Sequence, residues 1–183
     1  MTWRARLAEA ARMCGGLLAV TAATAALLAL VDAVPAWLAG DDRGVLRART
    51  VDEAERRLRT RLVMPSYFPD TLAWPPRAVR FTLREPGAAA LHVDGRDGRP
   101  RALIAETVRP GAIPERLVPA GAPLGSAQVS LGGREGTLTR VVGEDGDVWN
   151  ELAWEQGGRS LLLRSRGSID ELVRMAKSAR EVP

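Results

Sequence analysis

The chain is poor in the residues on which most enzymatic and metal chemistry is built. Of 183 residues one is cysteine (Cys14) and one is histidine (His92), and only 4% are aromatic. A single cysteine excludes an internal disulfide and any multi-cysteine zinc site. Cys14 is also unsuited to lipid attachment, because Ala11-Arg12-Met13 stand where small apolar residues are required and the apolar run follows it. With one histidine, a Ser-His-Asp or Cys-His arrangement can be assembled only around His92, and no strand-to-helix nucleophile elbow is present. Lysine is nearly absent, Lys177 being the only one, and the formal charge is +4. Both signs are interspersed after residue 40, so the concentrated basic face with interleaved aromatics that nucleic acid requires is missing.

What the sequence does have is one long uncharged run, Met13 to Val31, "MCGGLLAVTAATAALLALV", 19 residues. That is close to the ~20 residues that cross a ~30 Å hydrocarbon core as a helix, and longer than the ~7–15 apolar residues of a cleaved signal. Val31-Asp32-Ala33 has the small residues of a cleavage site, so removal is the competing reading. Trp3 and Trp37 bracket the run as interfacial aromatics do. Asp32 then falls at the outer water boundary, as a headgroup-level carboxylate or as a polar contact to a neighbouring membrane helix. Gly15, Ala19, Ala22 and Ala26 are small enough to let such a helix approach closely. These four, with Asp32, Trp37 and Trp149, are the candidate partner-binding residues. Arg4, Arg6 and Arg12 favour a cytoplasmic N-terminus, although Arg43, Arg47 and Arg49 follow the run. The expected organisation is a cytoplasmic tail (1–12), a transmembrane anchor (13–38), a polar connector (39–50) and an extracytoplasmic domain (51–183) in a bacterial inner membrane.

The domain reads as α+β. Thr50-Val51-Asp52-Glu53 has capping-box spacing, and Val51, Ala54, Leu58 and Leu62 make an apolar stripe that Pro65 stops. Arg56, Arg57, Arg59 and Arg61 fill the remaining face, either facing anionic headgroups or pairing with Asp52, Glu53 and Glu55. "MPSYFPDTLAWPP" (64–76) is a turn-rich segment with Tyr67, Phe68, Leu72 and Trp74 as apolar anchors. Alternation then predicts strands at 79–84, 88–93 and 102–108, the last two joined by "DGRDGRP". Residues 109–127 hold four prolines and three glycines and are expected to be a loop, ordered or awaiting a partner. Two more hairpins follow, 127–131 with 136–142 and 148–155 with 159–165. Ser168-Ile169-Asp170-Glu171 caps a final helix. No helix separates successive strands, so the spacing predicts an antiparallel sheet of six or seven strands with an N-terminal and a C-terminal helix packed on it.

No catalytic, cofactor or metal site emerges. "DGRDG" and "EDGD" lack the alternating oxygen ligands and terminal glutamate of a calcium loop and read as hairpin turns. "SLGGREG" lacks the lysine and following helix of a phosphate loop. Trp149 and Trp154, five apart, face opposite sides of a regular strand. One is expected under the C-terminal helix and the other is a candidate protein contact, with burial of both in the core as the alternative.

Residues 152–178, "LAWEQGGRSLLLRSRGSIDELVRMAKS", close with Trp154-Glu155, a Gly157-Gly158 turn, the Leu161–Leu163 strand, Ser168–Leu172 opening a helix and Ala176–Ser178 ending it. Together with "VMPSYFPDTLAWP" (63–75), this resembles a bacterial extracytoplasmic domain family of unknown function found behind the membrane span of anti-sigma-factor-like proteins. The resemblance implies no catalytic residues. The 12 residues before the apolar run are too few for an anti-sigma domain, so the outer domain is expected to act without that module. The expectation is a non-catalytic, single-pass accessory subunit of a larger membrane complex, with the bilayer and other membrane subunits as partners and no nucleic acid, cofactor or small-molecule substrate. An envelope sensor and a lipid or lipoprotein carrier are the alternatives.

Overall fold

A computed structural model describes residues 44–181. The chain divides into two compact units, Met1–Arg43 and Gly44–Pro183. The expected membrane helix, with Gly15, Ala19, Ala22, Ala26, Asp32 and Trp37, lies outside the described residues. Among the described residues no helix is long and apolar enough to cross a membrane.

The chain first forms a short strand, β1 (Leu46–Ala48), and a helix, α1 (Val51–Leu58). Thr50 caps α1 by accepting the Glu53 N–H at 3.2 Å, and Glu53 accepts the Arg49 N–H at 2.9 Å, close to the expected reciprocal box. The helix ends sooner than its stripe suggests. Arg59 takes a left-handed conformation (φ 56°) and its N–H bonds the Glu55 carbonyl, so Leu62 reaches the core from a turn instead of from the helix. Two of the arginines pair locally: Arg57 of the helix meets Glu53 at 2.8 Å, and Arg61 beyond its end meets the buried Glu55 at 2.9 Å.

Then come β2 (Val63–Pro65), β3 (Ala78–Thr82), β4 (Ala88–Asp94), β5 (Pro100–Thr107), a 3-10 turn (Glu115–Leu117), β6 (Gly121–Ser130), β7 (Glu135–Gly143), β8 (Val148–Gln156), β9 (Arg159–Ser165), α2 (Ile169–Ser178) and β10 (Ala179–Glu181). Eight strands form one antiparallel sheet in the order β1-β3-β4-β5-β9-β8-β7-β6, and β10 pairs with β2. The α+β expectation holds, but the sheet has eight strands instead of six or seven. The extra one is β1, inside the stretch read as connector: pairing with β3 is a backbone property and needs no apolar pattern. β6 also begins earlier than expected, inside the Pro/Gly-rich segment. Pro123 is tolerated there because an edge strand has no partner for its outward N–H, and the pairing shifts register between Pro123 and Gly125.

Strand alternation sorts the sheet into two faces. Val79, Phe81, Leu91, Val93, Ile104, Leu152, Trp154, Leu161 and Leu163 point to the face that carries both helices, and Ala54 of α1 and Leu172, Met175 and Ala176 of α2 close over them. On the opposite face Ala88, Ala90, Leu103 and Ala105 meet Ile113, Leu117 and Val118 of the 108–120 segment. This explains why β4 reads "AAALHV" instead of alternating: its centre is covered on both sides, and alanine permits the close approach. The two chain ends of the domain also meet. Ser66 N–H donates to the Ser178 carbonyl at 3.2 Å and Tyr67 N–H to the Ser178 hydroxyl at 3.1 Å. The segments 63–75 and 152–178 are therefore spatial neighbours.

Candidate functional site

Of the predicted site residues only Trp149 is described. It lies on β8, on the face opposite Trp154, and the two tryptophans divide as alternation requires. Trp154 is buried beneath α2, whereas Trp149 is half-buried. Trp149 is less free than a protein-contact anchor was expected to be. The Arg166 guanidinium lies over its ring at 4.3 Å, a cation–π stack. The indole also runs close to Gly143, where an added Cβ would come within 3.1 Å of Nε1.

Arg166 is held in turn by Asp145 and Asp147, its two carboxylate partners. Both belong to the "EDGD" turn between β7 and β8, which Gly146 (φ 78°) permits and Asp145 tightens by accepting the Asp147 N–H at 3.1 Å. The neighbouring β4–β5 turn is built the same way. Asp97 accepts the Arg99 N–H at 3.2 Å and meets Arg101 at 3.3 Å; the Arg99 amide foremost, and then Arg101, hold its carboxyl below the usual range. The Arg166 N–H bonds the Arg101 carbonyl at 3.0 Å. These turns border an open groove of about 270 Å³ lined by Asp97, Arg99, Pro100, Arg101, Asp147, Val148 and Arg166. Arginines and aspartates alternate and largely pair with one another, so the groove is self-neutralised. Both acidic turns hold arginine partners, and among the described residues no three His, Cys, Asp or Glu side chains converge on a point. The sequence shows each turn but not their adjacency, which depends on β5, β9 and β8 lying side by side.

His92 lies on β4, facing away from the helices and paired across from Ala78. Burial foremost, and then Arg80 and Arg77, push its imidazole below the ordinary value, with Asp94 pulling the other way. Its Nε2 is buried and meets no hydrogen-bond partner among the described residues. Trp74, expected to anchor its segment, is instead 52% exposed and leans on Phe68 at 5.0 Å, while Tyr67, Phe68 and Leu72 do pack on the core.

The 108–120 segment is ordered against the sheet. Arg164 on β9 donates to the Pro119 carbonyl at 2.6 Å and pairs with Glu151 at 2.6 Å, with 7% of its side chain exposed. In comparisons with known proteins no family model, no curated protein and no solved structure matches this chain.

Proposed function

We propose that this protein is a non-catalytic, single-pass membrane subunit whose extracytoplasmic domain and anchor helix bind other subunits of a larger complex, with energy-transducing complexes, photosynthetic or respiratory, the class to test. One observation carries the reading: an uncharged 19-residue run bracketed by Trp3 and Trp37 precedes a separately compact unit. Run length and flanks favour a retained helix over a cleaved signal. Gly15, Ala19, Ala22 and Ala26 would supply its packing surface, and Asp32 a polar contact at the boundary.

The test is purification of the full chain from native membranes in mild detergent. A full-length chain resisting alkaline extraction, with a stoichiometric foreign subunit, is expected. A mature N-terminus after Ala33, or recovery with no other subunit, overturns the proposal. A second reading, a regulator of envelope signalling, draws on the resemblance of residues 63–75 and 152–178, two segments that pack together here. A sigma-factor gene beside this one would favour it. A lipid carrier needs an apolar groove between sheet and helices. Leu152, Leu163, Leu172 and Met175 fill that interface at 0–1% exposure, which argues against it.

A further inference from the structure

The two edges of the large sheet differ in a way that points to a partner. One edge, β1, is three residues long and carries Arg47 at its centre and Arg49 just beyond. Short length and exposed charge are how natural sheets block unwanted pairing. The other edge, β6, is ten residues long and exposed at every position except Val129, which is half-buried. From Leu117 to Gly133 the sequence holds no charged residue. Pro123 and the register shift beside it guard only the start of the strand, leaving Gly125–Ser130 with neither charge nor proline. Its outward backbone groups pair with no strand among the described residues.

We propose that β6 pairs antiparallel with β6 of a second copy of this chain, about a two-fold axis normal to the sheet, joining two sheets into one. Two features favour a second copy over an extended segment of another protein. A two-fold axis sets each residue near it against itself or a close neighbour, so any charge there would face a like charge; this strand has none. The faces also match. Gly125, Ala127 and Val129 lie on the helix-bearing side, opposite Arg140, Leu138 and Gly136 of β7, and Ser126, Gln128 and Ser130 lie on the other, where Gln128 donates to Thr137 at 3.2 Å. A perpendicular two-fold keeps each face on its own side, so apolar meets apolar and polar meets polar. The unguarded stretch centres on Ala127 and Gln128, one of which sits on the axis. This pairing is independent of whether foreign subunits bind elsewhere.

The experiment uses the full chain in membranes with Cys14→Ser, so that no native thiol remains, and single cysteines placed in turn at positions 125 to 130. Residues directly opposed across an antiparallel pair lie within disulfide reach. Each step away from the axis separates the two identical positions by another ~7 Å along the strands. Mild oxidation is expected to give a product of twice the 19.7 kDa chain mass at position 127 or 128 alone. No doubled product, equal yield at consecutive positions, or coupling to a protein of another mass overturns the proposal. In the native-cysteine background, Ala127→Glu with Gln128→Glu places like charges at the axis on exposed positions. Loss of the dimer in detergent at an unchanged thermal midpoint is expected, and a persisting dimer overturns it.

Discussion

His92 shows how a single side chain couples this fold to pH. Its imidazole is held below the ordinary value of 6.5 by burial and by two arginines. The unfolded chain therefore takes up a proton that the folded chain refuses. His92 imposes no penalty above its unfolded value. As pH falls below about 6.5 the unfolded state gains protons and stability declines, with a slope of at most ~1.4 kcal/mol per pH unit for one proton. Urea unfolding between pH 7.5 and 5 is expected to show this decline, and His92→Gln to flatten it. An identical slope in the variant would assign the effect to other groups. Arg166 and Arg59 illustrate the same scale differently. Arg166 is fixed by aspartates and an indole at once, and Arg59 occupies a backbone conformation that glycine adopts more readily.

At the scale of elements, the 108–120 segment behaves as a covering layer. It brings Leu117, at 0% exposure, onto the alanine-rich centre of the sheet, and Arg164 clamps its end. Arg164→Met is expected to leave Glu151 without its partner and to destabilise the fold by about 3 kcal/mol, as when one member of a largely buried ion pair is removed. Limited proteolysis is expected to cut first between residues 108 and 120. An undiminished midpoint with an uncut segment would show that the clamp is dispensable. The elements that were legible in the sequence are those with local causes. Ser168 and Thr50 cap their helices as spacing requires, and Gly157 and Gly158, both with positive φ, turn β8 into β9. What escaped had distant causes. Strand β1 exists because β3 offers an edge, β6 extends through Pro123 because it lies at an edge, and the Trp149–Arg166 stack needs two hairpin tips to meet. The anchor residues lie outside the described residues.

At the scale of the whole molecule, the strand order has a kinetic consequence. Apart from the short edge strand β1, the large sheet consists of two meanders, β3-β4-β5 and β6-β7-β8-β9, each zipped by short turns. They share one seam, β5 against β9, whose partners lie 55 to 63 residues apart along the chain. Hairpins close quickly, whereas a contact this distant must first overcome the entropy of a long loop. Closure of the seam is therefore the expected barrier to assembling the large sheet. In the compact unit Gly44–Pro183, Ile104→Val on the seam, a change of about 1 kcal/mol, is expected to appear mainly in the refolding rate. Val129→Ala on the outer strand is expected to appear mainly in the unfolding rate, and the reverse pattern would place the barrier elsewhere. A chain held up at that seam would carry two half-sheets with open edges, so the interval before closure is when it is most exposed to mispairing with its neighbours.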